Sequence, residues 1–502
     1  VRVMEAAGYK IYVPPEKFLA SRTLPADTEK LWSWLENRAE KVDAAIISTD
    51  ALLYGGLVAS RTHHLDPAVL EKRIKRLRDL HLDTNIRFFA FSTLMRTPRE
   101  SYGNVEPDYY SHVGPAIYRY SQLSDKSDVR AETLLEDFEL GAFERNLAKE
   151  HLQDWLDRRN KNMAVNQQLA ILARMGRFDY FAIGKDDNAP YSHTHMEARK
   201  ISLGNAAVSS ASFQVLPGVD QLGLLLLTRA ANQLENHSPK VYQMYVEGEG
   251  PKTTPQYSDL PLGISVPEQI IAAGGTVVNS PANADVILAI NTPADGIMYD
   301  STDSSNQYFA SFSNKRYIDH LGAMLRSGAN ISLADVAFSN GADNGFMNEL
   351  SLRGFTEQLA AYNGWNTADN AIGFAIAQGM LAPQIPRGKQ LALMRERILD
   401  DWYYQSNARR IITEELEKAK LTNHKYNLDD MAGEVQKKSR KIMRQLAVNY
   451  DITAGTSFEV AFPWNRLFEV DITQLKQDKN KLRNRSRAAR GLLPDVFPIR
   501  SD

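Results

Sequence analysis

Short apolar runs and longer amphipathic stretches alternate along this chain, and acidic or amide side chains collect where the runs end. The run FDYFAIG at Phe178–Gly184 is too short, and too rich in aromatic residues, for a helix. It predicts a buried strand that Gly184 turns out of the core. Ala44–Ser48 (AAIIS), Ile86–Ser92 (IRFFAFS), Phe213–Leu216, Lys240–Val246 (KVYQMYV), Val286–Asn291 (VILAIN) and Ile331–Phe338 (ISLADVAF) predict strands as well. A first strand is expected at Tyr9–Pro14, ended by Pro14 and Pro15, which cannot continue a ladder. Between the runs, Asp27 caps a helix through about Ala39 with Leu31, Trp34 and Leu35 on one face. Helices are also expected over 67–82, 140–175, 221–234 and 266–273. Residues 100–135, rich in Tyr, Ser, Gly and Asp with weak periodicity, predict a long loop lying over the strand exits.

The unit of strand, polar exit and helix recurs about eight times, which means an α/β fold with a mainly parallel sheet. The sheet is expected to close as a (β/α)8 barrel-like core; the alternative is an open, doubly wound parallel sheet. This α/β domain spans residues 1–385. A mainly helical C-terminal region, 386–502, follows, with charged helices at Glu396–Lys420 and Asp429–Leu446 and a buried stripe of Trp402, Tyr403, Ile411 and Leu416. It is an appendage packing on the main body or a homo-oligomerisation element, and Phe462–Glu469 (FPWNRLFE) is expected to fold back onto the body.

In either architecture the ligand sits at the carboxyl ends of the strands, so the exits carry the candidate chemistry. Asp186 and Asp187 stand side by side at one exit, where each raises the other's pKa and both lose water. Such a pair suits acid/base catalysis. The plainer role is that Asp187 or Asn188 caps the helix beginning near Tyr191. Arg96, just past a strand, suits two acceptors at once, or locks a neighbouring Asp. Asp50, Asn188, Asp220, Asn291 and Asp335 are the other exit residues expected to contact substrate. At 361–377 (AYNGWNTADNAIGFAIA), Tyr362, Trp365, Asn366 and Asn370 supply the stacking and amide groups of a sugar-binding pocket. Gly55 and Gly56 permit a close backbone approach, to a ligand or within a purely structural turn.

Composition narrows the choice. The 502 residues carry a formal net charge of −2, which leaves no electrostatic footprint for nucleic acid. No apolar run approaches the roughly 20 residues of a membrane span. There is no cysteine, which removes thiolate metal sites and a cysteine nucleophile and leans toward an exported or periplasmic location. His193, His195 and Glu197 are poorly spaced for a metal, and none is expected. No phosphate loop, dinucleotide fingerprint or nucleophile elbow is present, and no cofactor is expected. The basic segment Lys476–Arg490 is too short and mixed to indicate nucleic acid. Val1–Gly8 has the character of a helix already under way, so an upstream strand, and a signal peptide, are expected before it.

The segments STDALLYGGLVASR, FSTLMRTP, IGKDDNAP, LADVAFSNGAD, AYNGWNTADNAIG and FPWNRLFE resemble the bacterial family catalogued as domain of unknown function 4127, over almost the whole chain to about Glu469. Members usually begin with a strand ending in P-L-D-x-R-P. That resemblance implies a further site Asp and Arg upstream of this sequence, and it brings no established activity. A more local similarity is to N-acetylglucosaminidases that use the substrate's acetamide as nucleophile. It implies that Asp186 orients the acetamide while Asp187 protonates the leaving oxygen, with the Tyr, Trp and Asn groups of Tyr362–Asn370 holding the sugar. The expected function is therefore a glycoside hydrolase acting on a small-molecule or oligosaccharide substrate. The alternatives are a divalent-metal-dependent hydrolase of phosphoesters or amides, with Asp50, Asp186, Asp187, Asp220 and His193 as the groups to hold one or two ions, and a non-catalytic carbohydrate- or metabolite-binding protein.

Overall fold

In the computed structural model, which describes residues 1–82, 86–99, 105–205, 209 and 211–475, the main strands form two parallel sheets, beside a short parallel pair (Tyr299–Asp300 with Phe338–Ser339) and an antiparallel pair (Phe458–Ala461 with Asp471–Gln474). The first contains β1 (Ala44–Ser48), β2 (Arg87–Leu94), β3 (Tyr180–Lys185) and β4 (Phe213–Pro217), each beside its predecessor. The second contains β5 (Lys240–Tyr245), β6 (Thr276–Val278), β7 (Val286–Asn291), β8 (Ile331–Asp335) and β9 (Ala361–Asn363), in the spatial order β6-β5-β7-β8-β9. The expected parallel α/β architecture is thus present. Among the described residues, no strand pair links one sheet to the other.

Alternation along each strand builds three cores. On the outer face of the first sheet, Phe88, Phe181, Ile183 and Phe213 meet helices α2 (Pro67–Leu82), α5 (Lys149–Arg174) and α6 (His193–Gly204). Phe89, Tyr180, Ala182 and Leu216 point the other way, into a layer of three helices, α7 (Leu222–Leu234), α8 (Leu262–Ala272) and α11 (Ala368–Leu381). That same layer receives Val286, Leu288 and Ile290 from the second sheet, so one set of helices fills both sheets' inner faces. Every residue of α11 except Phe374 is buried, and its small residues allow the fit: a Cβ on Gly379 would lie 2.7 Å from the Ser332 Cβ. The outer face of the second sheet packs on α9 (Phe312–Arg326), α10 (Asn344–Leu352) and the C-terminal region.

The C-terminal region begins with α12 (Arg387–Arg397), continues without a break as a π-helix, Ile398–Ala408, and then as α13 (Arg409–Lys418); α14 (Ala432–Ala447) crosses it. Its buried stripe is Trp402, Tyr403, Tyr404, Ile412 and Leu416, with Ile412 in place of the expected Ile411, and the three aromatic residues join the second sheet's outer core. Phe462–Glu469 does return to the body: Trp464 O accepts a hydrogen bond from Arg22 at 2.7 Å.

Three local expectations fail. Tyr9–Pro14 forms no strand and pairs with none among the described residues. In α1 (Thr28–Ala39), Trp32 is the buried tryptophan and Trp34 only half-buried. Most of 100–135 is helical, as α3 (Tyr110–Asp128) and the start of α4 (Leu134–Asn146), while 100–104 lie outside the described residues. The buried positions of α3 include Tyr110, Gly114, Ile117, Ser121 and Asp125, a regular helical spacing that a search for apolar residues misses because three of the five are small or polar. Lys476–Arg490 lies outside the described residues. No helix among the described residues is long and apolar enough to cross a membrane.

Candidate functional site

The carboxyl ends of β1 to β4 gather five carboxyl groups and two guanidiniums. Asp187 adopts a left-handed φ of 35°, which Asp tolerates better than most residues, and the two adjacent carboxylates take different partners. Asp186 is buried and pairs with Arg61, which also lies 3.6 Å from Glu106 Oε1. Asp187 stays partly open and accepts a 2.5 Å hydrogen bond from Arg96 Nη1, while Arg96 Nε donates to Glu106 Oε1 at 2.7 Å. Asp50 sits beneath them in the short helix Thr49–Leu53 and accepts from Thr93 Oγ1 at 2.7 Å. Burial, above all, pushes its carboxyl up to about 7, with Asp186 adding to the rise. Burial likewise raises Asp186, against the pull of Arg61.

Asp220, past the end of β4, is the most accessible of the candidates. Solvent reaches it although protein groups crowd around it, so it lies in a cleft of the surface rather than on an open face. The loss of bulk water and then the charges of Asp186 and Asp187 push it up to about 6. Its Oδ2 accepts from Asn366 Nδ2 at 3.0 Å and from Asn370 Nδ2 at 3.3 Å, both supplied by the segment after β9 of the other sheet. Tyr257, 45% exposed, lies near Asp187 and Asp300, and its hydroxyl is raised by burial and then by their charges. Arg409 Nη2 donates to Asp300 Oδ1 and to Asn340 O, each at 3.2 Å, and its guanidinium lies 5.5 Å from the Phe468 ring centre. Trp365, half-buried, lies 5.8 Å from the same ring.

The exits of the second sheet form a separate interior centre. Asn291 Nδ2 donates to Asp335 Oδ1 at 2.8 Å and to Asp343 Oδ2 at 3.2 Å. Burial first, and their mutual repulsion next, push Asp335 well above the usual carboxylate range; burial also raises Asp343. The Tyr362 hydroxyl is buried and has no hydrogen-bond partner among the described residues. Asp401, from the π-helix, accepts from Gly364 N at 2.7 Å and so braces the loop that carries Trp365 and Asn366.

The family model described as Protein of unknown function (DUF4127) matches residues 1–473. The chain belongs to the DUF4127 family. No curated protein and no solved structure matches it, so these comparisons do not return the N-acetylglucosaminidases either.

In this DUF4127 chain the expected site residues therefore divide. Asp50, Arg96, Asp186, Asp187, Asp220, Asn366 and Asn370 share one polar centre, with Trp365 at its edge. Asn291, Asp335 and Tyr362 belong to the interior centre. Asn188 is buried, its N–H donating to Tyr257 O at 3.1 Å and its Oδ1 accepting from Ser192 Oγ at 2.8 Å. Neither Asp187 nor Asn188 caps α6; Ser192 does, accepting from His195 N. The two glycines after Asp50 serve a structural approach, since a Cβ on Gly55 would lie 2.8 Å from the Pro25 Cβ. His193, His195 and Glu197 turn to Ser121, Asp125 and Arg159 respectively. Among the described residues, no three acidic or histidine side chains are placed to hold a metal ion.

Sequence reasoning passes over Arg61, Glu106, Tyr257, Asp300 and Arg409. Arg61 had a signal, since it closes the STDALLYGGLVASR segment one short helix after Asp50. Glu106 and Arg409 had none: one sits in a stretch without apolar periodicity, the other among the many charges of the expected helix Glu396–Lys420.

Proposed function

We propose that this protein is a glycoside hydrolase in which Asp220 protonates the leaving glycosidic oxygen and Asp187 stabilises positive charge on the sugar. One observation carries the reading: two solvent-accessible carboxyls share a cleft in unlike settings, one held by amides and shifted up to about 6, the other ion-paired with Arg96. A neutral acid beside a paired carboxylate is what cleavage through an oxocarbenium-like state requires. Trp365 and Tyr257 offer apolar faces for sugar rings. Asp186 then has a supporting part, fixing Arg61, rather than the acetamide-orienting part implied by the N-acetylglucosaminidase similarity. N-acetylhexosaminides remain the first substrates to test. The scaffold we favour is a pair of open sheets, the second wound in both directions from β5.

A panel of nitrophenyl glycosides, with and without chelator, identifies the sugar. The phenyl glycoside of that sugar, whose poorer leaving group needs a proton, then compares the wild type with Asp187→Asn and Asp220→Asn. Loss in both variants, indifferent to chelator, supports the reading; a silent panel rejects it. Hydrolysis that chelator abolishes transfers the reaction to the metal-dependent class.

A further inference from the structure

We infer that Asn366 and Asn370 form an amide clamp that fixes which oxygen of Asp220 carries the reacting proton. The inference rests on the proton-donor reading of Asp220 and goes beyond it by naming the atom.

The orientation of both amides is set by their surroundings. Asn370 is buried, and its Oδ1 accepts from Val219 N at 3.1 Å and Asp220 N at 3.2 Å. Turning the amide over would set its NH2 against two backbone donors. Its Nδ2 therefore faces Asn366 Oδ1, at 2.8 Å, and Asp220 Oδ2, at 3.3 Å. Asn366 Oδ1 also accepts from Thr367 N, which leaves Asn366 Nδ2 to donate to the same Asp220 Oδ2 at 3.0 Å. The turn that receives Asn370 is shaped for it: Gly218 has φ 78°, and a Cβ there would lie 2.6 Å from Asn370 Oδ1.

Asp220 Oδ2 thus accepts two N–H groups, while Oδ1 accepts none among the described residues. A proton on Oδ2 would confront two donors, so the neutral acid holds it on Oδ1, the oxygen left free in the cleft. When the glycosidic C–O bond breaks, its electron pair stays on the leaving oxygen, which takes that proton. Water adds its hydroxyl to the anomeric carbon and returns its proton to the site. The charge left on Asp220 falls on a carboxylate already bonded through Oδ2, so the clamp stabilises the charge-separated state more than the neutral acid. The charged groups that act on Asp220 are Asp186, Asp187 and Arg61, and none of them takes over the amides' bonds.

The test is a carboxyl 13C titration of the full chain labelled at aspartate, with Asp220 assigned by its absence in Asp220→Asn. Removing a donor from the charged form raises the midpoint, so Asn366→Ala, which leaves the Asn370 bonds to the turn available, should move it up by about one pH unit, and Asn370→Ala by at least as much. No rise in Asn366→Ala overturns the clamp. Turnover adds a second readout: both variants should lose about tenfold on a phenyl glycoside and much less on the dinitrophenyl glycoside, which leaves without a proton. Equal losses on the two overturn the assignment of the proton to the clamped acid. If no glycoside is hydrolysed, the hydrolase reading fails while the titration still decides the clamp.

Discussion

Arg61→Met removes the cation that two buried carboxylates share. The side chains of Arg61, Asp186 and Glu106 are 5%, 7% and 2% exposed, so water cannot replace the guanidinium. Glu106 keeps Arg96 at 2.7 Å, and Asp186 is the group left without a direct partner. Breaking a buried pair from one side costs about 3–5 kcal/mol, and the lower end applies because Asp186 can take up a proton. Burial already holds the Asp186 carboxyl above its ordinary range, and without Arg61 it rises further. Stability tied to a raised carboxyl is complete below the unfolded value of about 3.9 and is lost as pH climbs through the folded-state value. The penalty should therefore be largest near pH 8 and shrink toward pH 5. Urea unfolding followed by tryptophan fluorescence at both pH values measures it, and Arg61→Met/Asp186→Asn should recover more than half of the loss at pH 8. A penalty below about 1 kcal/mol, or one that is equal at the two pH values, would refute the argument that Arg61 neutralises a buried charge.

Gly55→Ala should cost about 2–3 kcal/mol in the same assay, because φ is 94° and the new Cβ would meet Pro25 at 2.8 Å and Ala26 N at 3.1 Å. Asp50→Asn should raise the melting temperature at pH 8 and leave it nearly unchanged at pH 5. The Asp50 carboxyl sits at about 7, so its stabilising contribution is lost as pH rises through that value, and the amide has no such charge to bury. Lys185→Met should cost about 3 kcal/mol by stranding Asp259, 2.5 Å from the ammonium and almost fully buried, and Lys185→Met/Asp259→Asn should restore part of it.

The strands were legible where polar or turn residues bound an apolar run: β1, β4, β5 and β7 fall within a residue of their expected limits. The exits were legible for the same reason, since Asp50, Asp186, Asp187 and Asp220 follow immediately. Pairing was not. Nothing in the run Val286–Asn291 says that it neighbours β5 and β8 rather than a strand of the first sheet, and the division of the exits into a cleft and an interior centre depends on that pairing. Asn291 and Asp335 carry the same exit signature as Asp220, yet they lie in the interior, where the Asn291 amide donates to the Asp335 carboxyl. Helix α3, which buries small and polar residues, was illegible, and within the expected helix Glu396–Lys420 the burial of Asp400, Asp401, Gln405, Ser406 and Asn407 was not foreseen.

The cleft exists because the two sheets share a layer of helices. Asp187 and Asp220 come from the first sheet, and the amides that hold Asp220 come from the first turn of α11 and the loop before it, which belong to the second. That loop is fixed from behind. Asp401 accepts from Gly364 N, and Asn340 N donates to Asn366 O at 2.6 Å. Within the π-helix, the Asp401 carbonyl accepts from Ala342 N at 3.0 Å while its side chain turns toward Gly364. Asp220 is thus held by two amides, and the loop that supplies Asn366 is in turn held by Asn340 and Asp401. The C-terminal region is then more than a covering for the second sheet: through Asp401 and Arg409 it braces one side of the cleft, so its charged residues at 397–409 carry structural consequence at the site although they lie more than 170 positions from Asp220 in the sequence.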